Sequence, residues 1–316
     1  MTVNSRLYIG LDIGGTKVRA GLMRTTRASL SRIKRLKVIE EKTLRLDRKT
    51  ALAQTERLIT ILLKSANDKI QGIGVAAPGP INEQKGLLIK SPNLPGWENK
   101  PLGPPLKRRF RVPVVLANDA NAAALAEAWW GAGRNKKLIF FATISTGIGT
   151  GLVINRRLFR GHTGLALEGG HLSINHTGEI CCCGHRGCIE AYASGTSIAR
   201  RAARLRRGSR LDAAALFKMS QTGARDALRL VQETYEYLGL WLGNIVNLLD
   251  PEIIVLGGGV TNWGPPLFRA LRRLTPKYSI NPNASKIPIV PARLGRDVGV
   301  FGAVAALLEK NLNREM

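Results

Sequence analysis

Apolar residues alternate with small or polar ones through LYIGLDIGGTKVRAGLM at 7–23, break at Gly14-Gly15, and then alternate again. A two-residue period belongs to a half-buried strand, and paired glycines suit a tight turn. The stretch therefore predicts strand, turn, strand. LIFFATISTGIGTGLVIN, from 138 onward, repeats this pattern, and the likeness of 7–23 to 138–154 predicts an internal duplication. Between the two copies, residues 48–66 read as an amphipathic helix with Leu52, Ile59 and Leu63 on one face. IQGIGVAAPGP at 70–80 reads as a buried strand entering a turn, and the proline-rich stretch 78–105 as mostly loop. VPVVLAND is a strand, and ANAAALAEAWWGAG is a helix stopped by glycines. The second half adds helices near 195–207, 224–249 and 265–274, the strands IIVLGGGV and IPIVPA, and a final helix from about Gly299. Strands alternating with helices predict an α/β fold, and two similar halves predict two lobes with a cleft between them.

Composition changes this picture little; charge and cysteine usage change it more. The 316 residues are 44% apolar and 22% charged, ordinary for a globular protein. No apolar run approaches the roughly 18–20 residues a bilayer span needs, and the N-terminal stretch has no basic region followed by a long apolar core. A cytoplasmic location is expected, with no membrane partner. Forty-eight Lys and Arg against 22 Asp and Glu give a formal net charge of +26. The excess is spread over 24–49, 107–111, 200–210 and 269–273, with no groove-reading motif, so it predicts a solvated basic surface rather than a specific nucleic-acid site. Such a surface also attracts anionic small molecules such as nucleotides.

Three glycine-rich turns follow apolar strands: Gly14-Gly15, the 147–151 run, and Gly257-Gly258-Gly259. Glycine lets backbone N–H groups approach a phosphate without an intervening Cβ. The P-loop pattern is absent, and the first two turns lead into strands, which argues against a dinucleotide fingerprint. Three such turns, with Asp12 before the first and Thr16-Lys17 after it, predict a nucleotide site in which Asp12 serves Mg²⁺ directly or through water. Asp119 ends a strand and opens a helix. It reads either as a helix cap, a role Asn118 could also take, or as the general base of a phosphoryl transfer, and the two roles are compatible.

All four cysteines lie in ICCCGHRGC, within eight residues. His171, ten residues before Cys181, extends them to His-x9-Cys-x-Cys-x4-Cys, a closed donor set of the structural-zinc kind. Gly184 and Gly187 permit the turns that such a loop needs. A redox pair is the rival reading. Five candidate donors for four places leave one spare.

In combination, DIGGTK at 12–17, NDANAAALAE at 118–127, STGIGTG at 145–151, ExGH at 168–171 and CxCGxxGCxE at 181–190 resemble the ROK family of sugar kinases and repressors. The match runs in order over essentially the whole chain. The resemblance implies an actin-like, ribonuclease-H-like two-lobed ATPase fold with an interlobe cleft, usually dimeric or a higher homo-oligomer. It implies a small lobe of 1–118, with 297–316 packing back on it, and a large lobe of 119–296 carrying the zinc loop. It implies transfer of phosphate from ATP, carried with Mg²⁺, to a hexose. Asp119 then corresponds to the catalytic base. Gly79, Asn93, Asn118, Glu168, His171 and Glu190 correspond to sugar contacts. Asp12, Gly14, Gly15, Thr16, Lys17, Thr146, Gly147, Gly149, Gly257, Gly258 and Gly259 correspond to nucleotide contacts. His171, Cys181, Cys183 and Cys188 correspond to Zn²⁺ ligands, which leaves Cys182 as the spare. Gly169 departs from the aliphatic residue usual in the family, which predicts a looser loop. SPNLPGW, ANDANAAALAE and GCIEAYASGT most resemble the glucokinase branch and imply phosphorylation of the glucose 6-hydroxyl. Kinases for N-acetylglucosamine, N-acetylmannosamine or fructose share most of these residues. The family's repressors carry an N-terminal DNA-binding domain and typically lose the ATP motif; here DIGGTK is intact and eleven residues precede Asp12, so a sugar-responsive nucleic-acid-binding regulator is the weaker reading.

Overall fold

The computed structural model describes residues 5–26, 29–44, 47–89, 94, 96–205 and 211–312. The chain divides into two compact units, 1–135 with 153–166 and 293–316, and 136–152 with 167–292.

The first unit opens with β1 (Ser5–Ile13), β2 (Lys17–Thr26) and β3 (Ser29–Lys42), followed by α1 (Arg48–Lys64) and β4 (Ile70–Ala77). Three two-residue strands then form a small sheet: β5 (Ile81–Asn82), β6 (Leu87–Leu88) and β7 (Lys100–Pro101). Next come α2 (Gly103–Phe110), β8 (Val114–Asn118) and α3 (Asp119–Trp130). The main sheet has the order β3-β2-β1-β4-β8. β1 pairs antiparallel with β2 and parallel with β4, and β4 pairs parallel with β8. On α1 the buried face is Ala51, Gln54, Thr55, Leu58, Ile59 and Leu62. Leu52 and Leu63, expected on that face with Ile59, lie on its margins and are only partly buried.

In the second unit, β9 (Leu138–Ile144) and β10 (Ile148–Ile154) are neighbours joined by three residues. So short a connection allows only antiparallel pairing. β10 ends in a two-residue hairpin with β11 (Arg157–Leu158). The helices α4 (Glu190–Ala193), α5 (Gly195–Leu205), α6 (Ala213–Gln221) and α7 (Arg225–Leu249) precede β12 (Ile253–Gly257), α8 (Pro265–Leu274) and β13 (Ile289–Pro291). Strand order within this unit is β10-β9-β12-β13, with β12 parallel to both β9 and β13. A hairpin followed by two parallel strands thus occurs in both units, the structural form of the likeness between 7–23 and 138–154.

The chain then returns to the first unit as α9 (Val298–Leu312). α9 packs on β1, β4 and α3; ten of the 12 residues of α3 and ten of the 15 of α9 are buried. Helices apolar all round must be enclosed on every side, which explains why 119–135 group with the first sheet. A division at 118 would place them in the other lobe. The cores gather Leu, Ile and Val from each sheet with Leu58 and Leu62 in the first unit, and Phe140, Trp241 and Leu242 in the second. Each such fully buried side chain contributes roughly 2 kcal/mol of transfer free energy. Among the described residues, no helix is long and apolar enough to cross a membrane.

Candidate functional site

In the first unit, β1 carries Asp12 to its end, opposite Arg19 on β2 and beside Ala76 on β4. The turn that follows is held from both sides. Gly14 N–H donates to the Lys17 carbonyl at 2.9 Å, Thr43 Oγ1 donates to the Gly14 carbonyl at 2.6 Å, and Thr43 N–H donates to the Thr16 carbonyl at 2.9 Å. The Lys17 ammonium, expected at the nucleotide, pairs with Glu40, which also takes Arg19 Nε at 2.6 Å. The first turn of α9 backs Asp12, and a Cβ on Gly299 would collide with the Asp12 carboxylate.

At the junction of β8 and α3, the capping role that the sequence left open between Asn118 and Asp119 falls to Asn118. Asn118 is the helix cap: its Oδ1 accepts from Ala120 N–H at 3.0 Å and Asn121 N–H at 3.1 Å. Its Nδ2 donates to the Gly79 carbonyl at 3.2 Å, which brings those two candidates together. Asp119 is the first helical residue, with Oδ1 accepting Ala120 N–H at 2.8 Å. Burial raises its pKa against those backbone hydrogen bonds. Asp12 is pushed up to about 7, chiefly by burial and then by the charge of Asp119, with Arg19 opposing. Two oxygen donors whose charges repel form a fitting environment for a hard divalent cation. Asn93 lies outside the described residues.

In the second unit, the turn from β9 to β10 is tighter than the 147–151 run suggested. β10 begins at Ile148, so Gly149 and Gly151 are strand residues and the turn is 145–147, with Thr146 and Gly147 in it. Ser145 N–H donates to the Gly147 carbonyl at 2.8 Å, and Gly195 N–H donates to the Ser145 carbonyl at 2.6 Å. Ile148 N–H donates to Glu190 Oε2 at 2.6 Å. Gly257 ends β12, and Gly258 and Gly259 lead into a short 3-10 turn.

Glu168 precedes another 3-10 turn, 169–171, and its carbonyl accepts His171 N–H at 2.9 Å. Gly169, expected to loosen this loop, is pinned instead. Its N–H donates to Thr150 Oγ1 at 3.0 Å, and its carbonyl accepts Trp241 Nε1–H at 3.1 Å. The absent side chain leaves room for Thr150, so the backbone is held without a Cβ.

The donor atoms of His171, Cys181, Cys183 and Cys188 all lie within 4.8 Å of one another. His171 Nδ1 is 3.6 Å from Cys181 Sγ, and the Cys183 and Cys188 sulfurs are 3.6 Å apart. Three thiols and one imidazole converging without a disulfide match the donor chemistry of a closed zinc site. Gly184 and Gly187 turn the loop at φ 92° and 78°. Behind the cluster, the Tyr192 ring packs against Tyr237 at a tilt of 41°, with centroids 4.5 Å apart, and its hydroxyl accepts Glu179 N–H at 2.8 Å. Glu179 pairs with Arg204 at 2.6 Å and Arg200 at 3.7 Å, so part of the 200–210 basic run holds this loop. Cys182 lies outside that set: its Sγ is 3.1 Å from Glu190 Oε1, and the donor atoms of Cys181, Cys182 and Glu190 lie within 4.8 Å of one another.

Glu127 is a structural residue with no counterpart among the motif-derived site candidates. It is fully buried on α3, and its carboxylate accepts three backbone N–H groups: Arg293 and Leu294 at 2.8 Å each on Oε1, and Ala132 at 2.7 Å on Oε2. Within NDANAAALAE, its charge amid alanines was the available signal.

A family model described as the ROK family matches residues 8–310. The chain belongs to the ROK family. A glucokinase of Thermotoga maritima is 33% identical, over 96% of this chain and 97% of that protein. A ROK hexokinase from Thermus thermophilus superposes with a TM-score of 0.86 at 34% identity, covering 96% of this chain and 99% of that one. A ROK family glucokinase from Streptomyces griseus, solved with glucose and AMPPNP, gives a TM-score of 0.79 at 28% identity, covering 96% and 99%. The ROK chain described here therefore has the actin-like α/β fold, with the hairpin-and-parallel-strand arrangement in each unit.

Proposed function

We propose that this ROK protein is an ATP-dependent hexose kinase that phosphorylates the 6-hydroxyl of glucose. The observation that carries the reading is the division of labour at the β8–α3 junction. Asn118 caps the helix, leaving the Asp119 carboxylate available beside Asp12. The full-length similarity to the Thermotoga and Streptomyces glucokinases supports glucose over other hexoses.

Asp119 takes the proton of the attacking hydroxyl. The hydroxyl oxygen forms its bond to the γ-phosphorus of ATP as the bond to the ADP oxygen breaks. The products are a sugar phosphate, ADP and the proton left on Asp119, which passes to solvent. Its raised pKa suits this work, because a base poised nearer neutrality accepts a proton more readily. Asp12 would hold the Mg²⁺ that accompanies ATP, and that ion supplies charge neutralisation at the phosphates. The 14–17, 145–147 and 257–259 turns provide backbone N–H groups for the nucleotide. Asn118, Gly79, Glu168, His171 and Glu190 are assigned to the sugar hydroxyls.

His171, Cys181, Cys183 and Cys188 would hold Zn²⁺, which supplies structural support to the substrate loop. With Nδ1 of His171 facing Cys181, the other ring nitrogen remains for a sugar hydroxyl. Four cysteines with no disulfide suit a reducing cytoplasm. A homodimer or higher homo-oligomer is the assembly we assign, on the family resemblance. Phosphorus NMR of the product from glucose and ATP tests the reading: a 6-phosphate with stoichiometric ADP supports it, and ATP hydrolysis without sugar phosphate contradicts it.

A further inference from the structure

Cys182 is the one thiol outside the four-donor cluster, and it is not idle. Its Sγ lies 3.1 Å from Oε1 of Glu190, while Oε2 of the same carboxylate accepts Ile148 N–H at 2.6 Å. Glu190 also lies directly against the 145–147 turn, where a Cβ on Gly147 would meet its carboxylate oxygen at 2.5 Å. The backbone of Glu190 is fixed by α4, whose first residue it is, and Ser194 N–H donates to its carbonyl at 3.3 Å. The helix leaves the three side-chain torsions of Glu190 open, and a donor at each carboxylate oxygen closes them.

We infer that Cys182 is a positioning residue for Glu190: its S–H donates to Oε1 and, opposite the Ile148 N–H on Oε2, fixes the plane of the carboxylate that receives the sugar. The inference rests on the hexose-kinase reading, in which Glu190 contacts substrate. Each carboxylate oxygen keeps one further acceptor site for a sugar hydroxyl. Cys181 and Cys183 meet His171 and Cys188, whereas the residue between them meets Glu190. Because the donor atoms of Cys181, Cys182 and Glu190 also lie within 4.8 Å of one another, the zinc content of the Cys182 variants separates this role from metal binding.

The test compares full-length wild type with Cys182→Ala, Cys182→Ser, Glu190→Gln and the Cys182→Ala/Glu190→Gln double variant. Zinc per chain is measured by elemental analysis, hexose Kd by calorimetry without ATP, and the KM for ATP by ADP release. Cys182→Ala keeps one zinc per chain and the ATP KM, and weakens glucose binding about fivefold, the scale of one ordinary hydrogen bond. Cys182→Ser restores the donor and most of the affinity. The double variant binds glucose no more weakly than Glu190→Gln alone, because the thiol acts only through that carboxylate. The inference fails if Cys182→Ala binds glucose like wild type, if it loses zinc, or if the two substitutions add. A wild-type protein that binds no hexose sinks the kinase reading and this inference together. Hexose binding by wild type with an unaffected Cys182→Ala sinks the inference alone.

Discussion

Glu127 holds three backbone donors with one buried carboxylate, and substituting it should cost the first unit more than any surface charge could. Ala132 N–H lies on Oε2, and the adjacent N–H groups of Arg293 and Leu294 share Oε1. A hydrogen bond to a charged group contributes about 1.5–3 kcal/mol, and a buried donor left unmet costs about 1–3 kcal/mol. Glu127→Gln can keep its carbonyl on the Arg293–Leu294 pair only by aiming its amide at the Ala132 N–H, so two donors then face each other. We expect a loss of about 2–3 kcal/mol for Gln and about 4–6 kcal/mol for Ala. At roughly 2–4 °C per kcal/mol for chains of this size class, Glu127→Gln lowers Tm by about 5–10 °C. Differential scanning calorimetry of matched samples reads this directly. A Gln variant melting within about 1 °C of wild type would refute the reasoning, because three short hydrogen bonds to a buried charge cannot be exchanged at no cost.

Asp119→Asn is expected to keep the fold and ATP binding and to lose about 10²–10⁴ of kcat, measured by ADP release; retained turnover removes Asp119 as the base. Cys181→Ser and Cys183→Ser are expected to lose zinc and sugar affinity together, as elemental analysis and calorimetry would show; full zinc occupancy in either contradicts the assigned ligand set. Asp12 has a folded pKa of about 7, above its unfolded value, so the native state holds that proton more tightly and stability falls as pH rises between the two values. Asp12→Asn removes this dependence, so its stability advantage over wild type in urea titrations without Mg²⁺ grows from about pH 4 to about pH 7 and is flat above. An advantage that shrinks over that range would show that Asp12 is not held protonated by its surroundings.

The parts legible in the sequence were those with an undisturbed period or a dense motif. Both strand-turn-strand stretches are present and paired as neighbours, but β1 and β9 are buried on both faces over most of their length rather than half-buried as their period of two predicts, because each lies inside its sheet. β3 was hidden for a physical reason. Its register slips between Leu22 and Met23 of the partner strand, so Ile33, Leu36 and Val38 do not follow a period of two. It is also the sheet edge, and the Arg and Lys residues that were read as part of a basic run suit an edge that must not recruit another strand. Other arginines turn out to hold the fold together. Arg272 donates to the Ile289 carbonyl at 3.0 and 2.7 Å, and Arg201 donates to the Tyr192 carbonyl at 3.0 Å. The four residues proposed to hold zinc were legible as a group because His171 and three clustered cysteines have few other uses, and the structure brings their donor atoms together. Glu127, the anchoring of Gly169 and the contact of Cys182 with Glu190 were not, because each depends on a partner brought close by the fold rather than by spacing.

The central claim, a hexose kinase with glucose as its substrate, is tested most directly by coupled ADP release with glucose, mannose, fructose, N-acetylglucosamine and N-acetylmannosamine under saturating Mg-ATP. Glucose is expected to give the highest kcat/KM, and Asp119→Asn to lose that activity. ADP release that no sugar stimulates, or a kcat/KM for glucose at the bottom of the panel, would contradict it.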